Sequence, residues 1–150
     1  MSLGPRGTPP AVSRPAVIVD TNVVVAGFPI AGNELPVARI LEGMLSAAFA
    51  FVLSEDLLTE YRDVLARPAL RKLHGLADAE MDRLVSNLAR HATLLTPVSA
   101  PPAPDPGDQM LWELLSVRAD LMLVTSDKRL LRDTRMRGRV ISPQVFLADA

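Results

Sequence analysis

The sequence predicts an α/β protein in which helices cover both sides of a mainly parallel sheet. Three observations lead there. Short apolar runs, each bounded by polar residues or by Pro and Gly, alternate with longer segments of helical periodicity along the 150 residues. The runs themselves do not alternate polar with apolar side chains, as expected of strands covered on both faces. The segments between them are long enough for the crossover helices that parallel neighbours require.

Taken in order, residues 1–14 are rich in Pro, Gly and Ser and read as a loose tail, followed by one domain over 15–150. Ala16–Val19 is the first strand. Pro36 opens a helix over 35–47, whose Leu35, Ala38, Ile40, Leu41, Met44 and Leu45 form an apolar stripe. The second strand is Ala50–Leu53. Ser54 then caps a helix over 55–66, and Asp78 a helix over 78–91 with Met81, Leu84, Val85 and Leu88 inward. Thr93–Leu95 is a third strand. Pro97, Pro101, Pro102, Pro104 and Pro106 mark an extended loop within the domain. Asp105-Pro106 is an N-cap followed by a first-turn proline, ahead of a helix over 108–118. A strand at Leu121–Thr125, a short helix over 128–133 and a strand at Arg139–Ser142 complete the order.

Composition narrows the function. The net charge of −1 excludes binding to polyanions driven by overall charge, so such a partner needs a local basic patch. With no cysteine there is no disulfide framework, thiolate zinc site or cysteine nucleophile. The longest near-apolar run, Met44 to Leu53, is too short to span a bilayer, and no apolar signal core opens the chain. The expectation is a cytoplasmic protein without membrane contact.

Sites in open α/β sheets form beyond the carboxyl ends of the strands. Asp20 ends the first run, in IVDTN, and Asp127 follows the fourth, in LVTSDK. Ser54 follows the second run and opens the helix that carries Glu60. At about 100° per residue, Leu57, Leu58, Tyr61, Val64 and Leu65 share a stripe. Glu60 lies nearest to it, while Glu55, Asp56 and Asp63 turn outward. Asp108, Leu111 and Leu115 share another face, so Asp108 points inward while Asp105 caps.

Each acid taken alone also reads structurally. Asp20 can end a strand, Asp127 can cap a turn, Asp108 can favour a helix dipole, and Glu60 can be a solvated helix residue. Their expected convergence adds a physical constraint. Two carboxylates about 5 Å apart repel by about 3 kcal/mol at an effective dielectric near 20, so four together require protons or a cation. Hard oxygen ligands suit Mg²⁺ or Mn²⁺; zinc is disfavoured, because the two histidines, His74 and His91, are far apart in sequence. An ion so held can activate water and neutralise charge on a phosphodiester, which makes hydrolysis of a nucleic-acid backbone the natural chemistry. Asp20, Asp108 and Asp127 then carry the metal, with Glu60 as a further ligand or as the group orienting water. Thr21, Asn22, Ser54, Thr125 and Ser126 are the supporting polar neighbours.

Four blocks, IVDTNVVVAG, LSEDLLTEYRDVL, DPGDQMLWELLSVRADLMLVTSDKRLL and ISPQVFL, resemble the PIN-domain family in content, order and spacing, from about Val17 to Leu147. The likeness is to its branch of toxins of type II toxin–antitoxin pairs. It implies an α/β/α sandwich around a parallel sheet and a Mg²⁺- or Mn²⁺-dependent ribonuclease; acids at the ends of separate strands make an endonuclease the expectation. The family's acids fall on Asp20, Glu60, Asp108 and Asp127. Asp105 matches an additional acid of this branch, as ligand or as cap, and Asn22 with Thr125 or Ser126 matches its supporting positions. Gly107, Gln109 and Met110 depart from the family pattern, and no second carboxylate follows closely after Asp127.

Lys128, Arg129, Arg132, Arg135, Arg137 and Arg139 form a basic run. It is either a patch for the RNA backbone, with Lys128, Arg129, Arg132 and Arg135 as its candidates, or a solvated helix face and turn. The stripe of helix 35–47 reads first as core. Part of it offers a groove for an antitoxin helix or a dimer contact. His74 and His91 read as surface or capping residues. Rival readings are a non-catalytic PIN-like module that binds RNA or protein, an RNA-processing nuclease without an antitoxin, and a phosphoryl-transfer domain. The last is opposed by Asn22, which stands where a haloacid-type phosphatase needs its second acid, and by the absence of paired acids on the first strand. No P-loop or serine elbow appears.

Overall fold

Strands and helices alternate in the computed structural model, which describes residues 16–28, 35–136 and 138–148. In chain order they are β1 (Val17–Val19), α1 (Thr21–Ala26), α2 (Pro36–Leu45), β2 (Val52–Leu53), α3 (Glu55–Leu65), α4 (Pro68–His74), α5 (Asp78–His91) and β3 (Thr93–Leu94). A 3₁₀ turn at Pro106–Asp108 then leads into α6 (Gln109–Leu115), β4 (Met122–Val124), α7 (Lys128–Leu131), β5 (Val140–Ile141) and α8 (Pro143–Ala148). The leader 1–14, Gly32 and Arg137 lie outside the described residues.

Every strand pairing is parallel. One ladder runs β1-β4-β5, with Ile18 opposite Leu123, and a second pairs β2 with β3. A parallel bridge between Val17 and Phe51 joins them, so the strands lie in the order β3-β2-β1-β4-β5. Chain order reverses direction between β1 and β4, which makes their carboxyl ends the switch point where such sheets open a crevice. With helices flanking this parallel sheet, the fold is the expected α/β/α sandwich.

The core follows from the apolar runs. Ile18, Val19, Leu53, Leu123 and Val124 are fully shielded from solvent, and Ile40, Met44, Leu57, Tyr61, Met81, Leu88, Trp112 and Leu115 close over them from the helices. Burial of each large apolar side chain contributes about 1.5–3 kcal/mol. Helix α1 approaches α2 closely at Gly27, where a Cβ would stand 2.5 Å from the Val37 carbonyl oxygen. Among the described residues no helix is long and apolar enough to cross a membrane.

The differences from the sequence expectations have local causes. The sequence pattern does not predict helices α1, α4 and α8. The first has only six residues and a Val-Val-Val centre, too short and too β-branched to show a helical period. Helix α4 buries no residue fully and so carries no apolar stripe, although Pro68 opens it and Gly75, with φ 65°, closes it. Asp78 does not cap α5. It is the first helical residue, and the Glu80 side chain accepts the Ala77 amide at 2.9 Å instead. The helix expected over 108–118 begins as a 3₁₀ turn and ends at Leu115, where Arg139 donates to the carbonyls of Leu115 and Arg118. Ser54 does cap α3, accepting the Leu57 amide at 3.1 Å, and Asp105 caps the 3₁₀ turn through the Gly107 amide at 2.8 Å.

Candidate functional site

At the carboxyl end of β1 the backbone turns directly into α1, and Asp20 stands at that turn with only 6% of its surface exposed. Its amide donates to the Val124 carbonyl at 2.9 Å, which ties it to the end of β4. Just past β4, the fully buried Thr125 donates its hydroxyl to Asp20 Oδ2 at 2.8 Å. That hydroxyl in turn accepts the Asp127 backbone amide at 3.0 Å, so one threonine side chain holds the Asp20 carboxylate and the backbone at Asp127. Asn22, on the first turn of α1, donates weakly to Asp20 Oδ2 at 3.4 Å and accepts the Ser126 amide at 3.4 Å.

Helix α3 brings Glu60 from the other side. Leu57, Tyr61 and Leu65 are buried, whereas Glu55, Asp56 and Asp63 are exposed; Glu60 lies at the margin. Thr21 donates its hydroxyl to Glu60 Oε1 at 2.5 Å. Asp108 sits where the 3₁₀ turn becomes α6, partly shielded, above the buried Leu111 and Leu115.

The acids feel one another. Asp20 is pushed up to about 6 from the usual 3.8, mainly by burial. The Thr125 hydrogen bond opposes that rise, and Asp108 and then Glu60 add to it. Asp108 is also raised, first by burial and then by Asp127 and Asp105, with Arg129 opposing and Glu60 adding. Asp127 caps α7, accepting the Arg129 amide at 2.8 Å. The Arg129 guanidinium lies 3.4 Å from Asp105 and 3.8 Å from Asp127, and is the one arginine paired with these acids among the described residues.

This donor set fits a hard divalent cation in chemistry and charge. It consists of carboxylate and hydroxyl oxygens, with a buried, destabilised negative charge at its centre. Its spacing is wider than a closed ligand shell, because among the described residues no three acids stand close enough to share an ion as they are placed.

Other candidates lie elsewhere. Ser54 is buried at the start of α3, where its oxygen is engaged in capping. Lys128 and Arg132 are exposed on and just after α7. Arg135 donates to the Pro102 carbonyl at 2.9 Å and pins the Pro-rich loop. Arg139 does not belong to a solvated basic patch, because its guanidinium caps the end of α6 and also reaches the Leu121 carbonyl. His74 joins the end of α4 to Leu65 and Leu76, a structural link. The helical stripe places Tyr61 only in the core, yet its hydroxyl donates to the Val19 carbonyl beside Asp20. The one sequence signal for that bond was a tyrosine standing where the stripe needed only an apolar side chain.

Comparison with known proteins adds three findings. The PIN domain family profile matches residues 16–129, more than half of the chain. Among curated proteins none matches. Among solved structures, the PIN domain of T. brucei RRP44 is similar at a TM-score of 0.45 and 13% identity, over 91% of this chain and 81% of that one.

Proposed function

The chain belongs to the PIN-domain family, whose members are generally nucleases, and from that premise we propose a Mg²⁺- or Mn²⁺-dependent endoribonuclease acting at the carboxyl ends of β1 and β4. One observation carries the reading: Asp20, nearly buried, is held by hydrogen bonds that orient it, while burial first and then Asp108 and Glu60 raise the energy of its charged form.

Asp20, Asp108 and Asp127 would hold the ion, with Asp105 beside them. When bound, the ion supplies charge neutralisation at the phosphate and lowers the pKa of water. Thr125 and Asn22 fix the carboxylate of Asp20, and Thr125 also fixes the backbone at Asp127. Glu60, one of whose oxygens is already held by Thr21, is assigned to orienting the attacking water. The water oxygen bonds to phosphorus in line with the departing oxygen, the water proton passes to Glu60, and the leaving oxygen takes a proton from solvent. Lys128 and Arg132 are exposed and suited to the RNA backbone, whereas Arg129 and Arg135 already hold Asp105 and the Pro-rich loop.

For the biological setting we propose the toxin of a toxin–antitoxin pair in the cytoplasm, restrained by an antitoxin protein, with self-association into a dimer. This rests on the family branch that the four blocks resemble. One pair of variants tests both levels. Asp20→Asn and Asp127→Asn should lower Mg²⁺- or Mn²⁺-dependent cleavage of labelled RNA by at least about 100-fold with an unchanged circular-dichroism spectrum. They should also relieve growth arrest on expression. Cleavage equal to wild type in both variants would reject the site.

A further inference from the structure

Two hydrogen bonds cross from consecutive residues of α3 to the two neighbours of Asp20. Tyr61, completely buried, donates its hydroxyl to the Val19 carbonyl, and Glu60 accepts the hydroxyl of Thr21. We propose that Tyr61 is a positioning residue of the acid site, forming with Thr21 a two-point clamp that sets Glu60 against Asp20.

Strand geometry explains why a tyrosine is needed. Along β1, Ala16 and Asp20 direct their backbone groups to β4, accepting from Met122 and donating to Val124. Val17 faces the other way, donating to Ala50 beside β2. Backbone groups alternate sides along a strand, so Val19 also faces β2. Among the described residues the two strands share one bridge, at Val17 and Phe51, and no ladder continues to Val19. The Val19 carbonyl, in a residue with no exposed surface, would lack an acceptor's partner without the phenol. Phenylalanine would fill the same core volume, so the hydroxyl serves the carbonyl and the register of α3, not packing.

That register matters because α3 carries Glu60 one residue earlier. With Val19 and Thr21 both held, α3 cannot slide or rotate past the β1–α1 turn without breaking two bonds at once. Asp20, between them, is held on its far side by Thr125 and Val124. The separation of Glu60 and Asp20 is therefore fixed by contacts from β1, α1, α3 and β4 together.

The clamp's role at the metal site rests on the nuclease reading above, and the experiment separates the two. Wild-type and Tyr61→Phe protein are titrated with Mn²⁺ alone, and free ion is read by electron paramagnetic resonance. Tyr61→Phe should keep the fold, melt a few degrees lower and bind Mn²⁺ about tenfold more weakly, as for loss of a group that orients ligands. Lower melting with unchanged Mn²⁺ affinity would overturn the positioning role. If wild type itself binds no Mn²⁺, the metal reading fails, and the ion-free melting temperatures of Tyr61→Phe, Thr21→Val and the double variant decide the clamp. A double loss smaller than the sum of the single losses supports it, and an additive loss overturns it.

Discussion

Two groups of acids on this molecule live under opposite rules. Where α3, α4 and α5 meet, Asp78 stands 2.5 Å from Arg71 and Asp82 stands 2.6 Å from Arg62, out in solvent. The Asp78 carboxyl is held below its usual range, first by the Arg71 hydrogen bond and then by the Arg71 charge. At the carboxyl ends of β1 and β4, Asp20 and Asp108 are instead raised, first by burial and then by neighbouring acids, Asp108 for Asp20 and Asp127 for Asp108, while Arg129 forms ion pairs with the outer pair, Asp105 and Asp127. Among the described residues no arginine forms an ion pair with Asp20 or Asp108, the inner rim of the site. An electrostatic cost left standing at the inner rim is what a bound cation can remove.

The contrast can be broken most forcefully at Asp20. Its folded pKa, near 6, lies above the ordinary 3.8, so between these values the folded protein holds a proton that the unfolded chain has released. Stability contributed by this group is present below the ordinary value and is lost as pH rises through about 6. Asp20→Asn should therefore be more stable than wild type at pH 7.5 in a chelator, by about 2–3 kcal/mol. That advantage should vanish toward pH 4, as read by urea unfolding at both pH values. A variant less stable than wild type at pH 7.5 would mean that the carboxylate is already compensated.

A much smaller effect should follow at the other cluster. Asp78 has a lowered pKa, so its stabilisation is present above the ordinary carboxylate range and is lost as pH falls through the lowered value. Because the pair is exposed, Asp78→Asn should lower the melting temperature only slightly at neutral pH, and added salt should shrink the difference. A large loss that persists in salt would show that this network holds the helices together and would blunt the comparison.

Much of this arrangement could be read from residue order. All five strands show as apolar runs, and the residue at the end of a run is a property of the sequence, which is why Asp20 and Asp127 stand out. Helical spacing likewise separates Glu60 from Glu55, Asp56 and Asp63. Contacts between distant segments could not be read. The Tyr61 hydroxyl reaches a carbonyl 42 positions away, and Thr125 reaches Asp20 across 105. Arg139 stands in a basic run that charge makes visible in the sequence, whereas the three carbonyls it reaches are brought to it only by folding. Helix α4 shows the complementary case. Its Pro68 and Gly75 are legible end signals, but with no residue fully buried it lacks the stripe that periodicity detects.

The claim that the acids at the carboxyl ends of β1 and β4 form a cation site, while those where α3, α4 and α5 meet are already satisfied, is tested most directly by calorimetric titration of Mn²⁺ into three proteins: wild type, Asp108→Asn and Asp78→Asn. Wild type and Asp78→Asn should bind with the same affinity, and Asp108→Asn at least about tenfold more weakly. Equal affinity in all three, or no binding heat in wild type, would contradict the account.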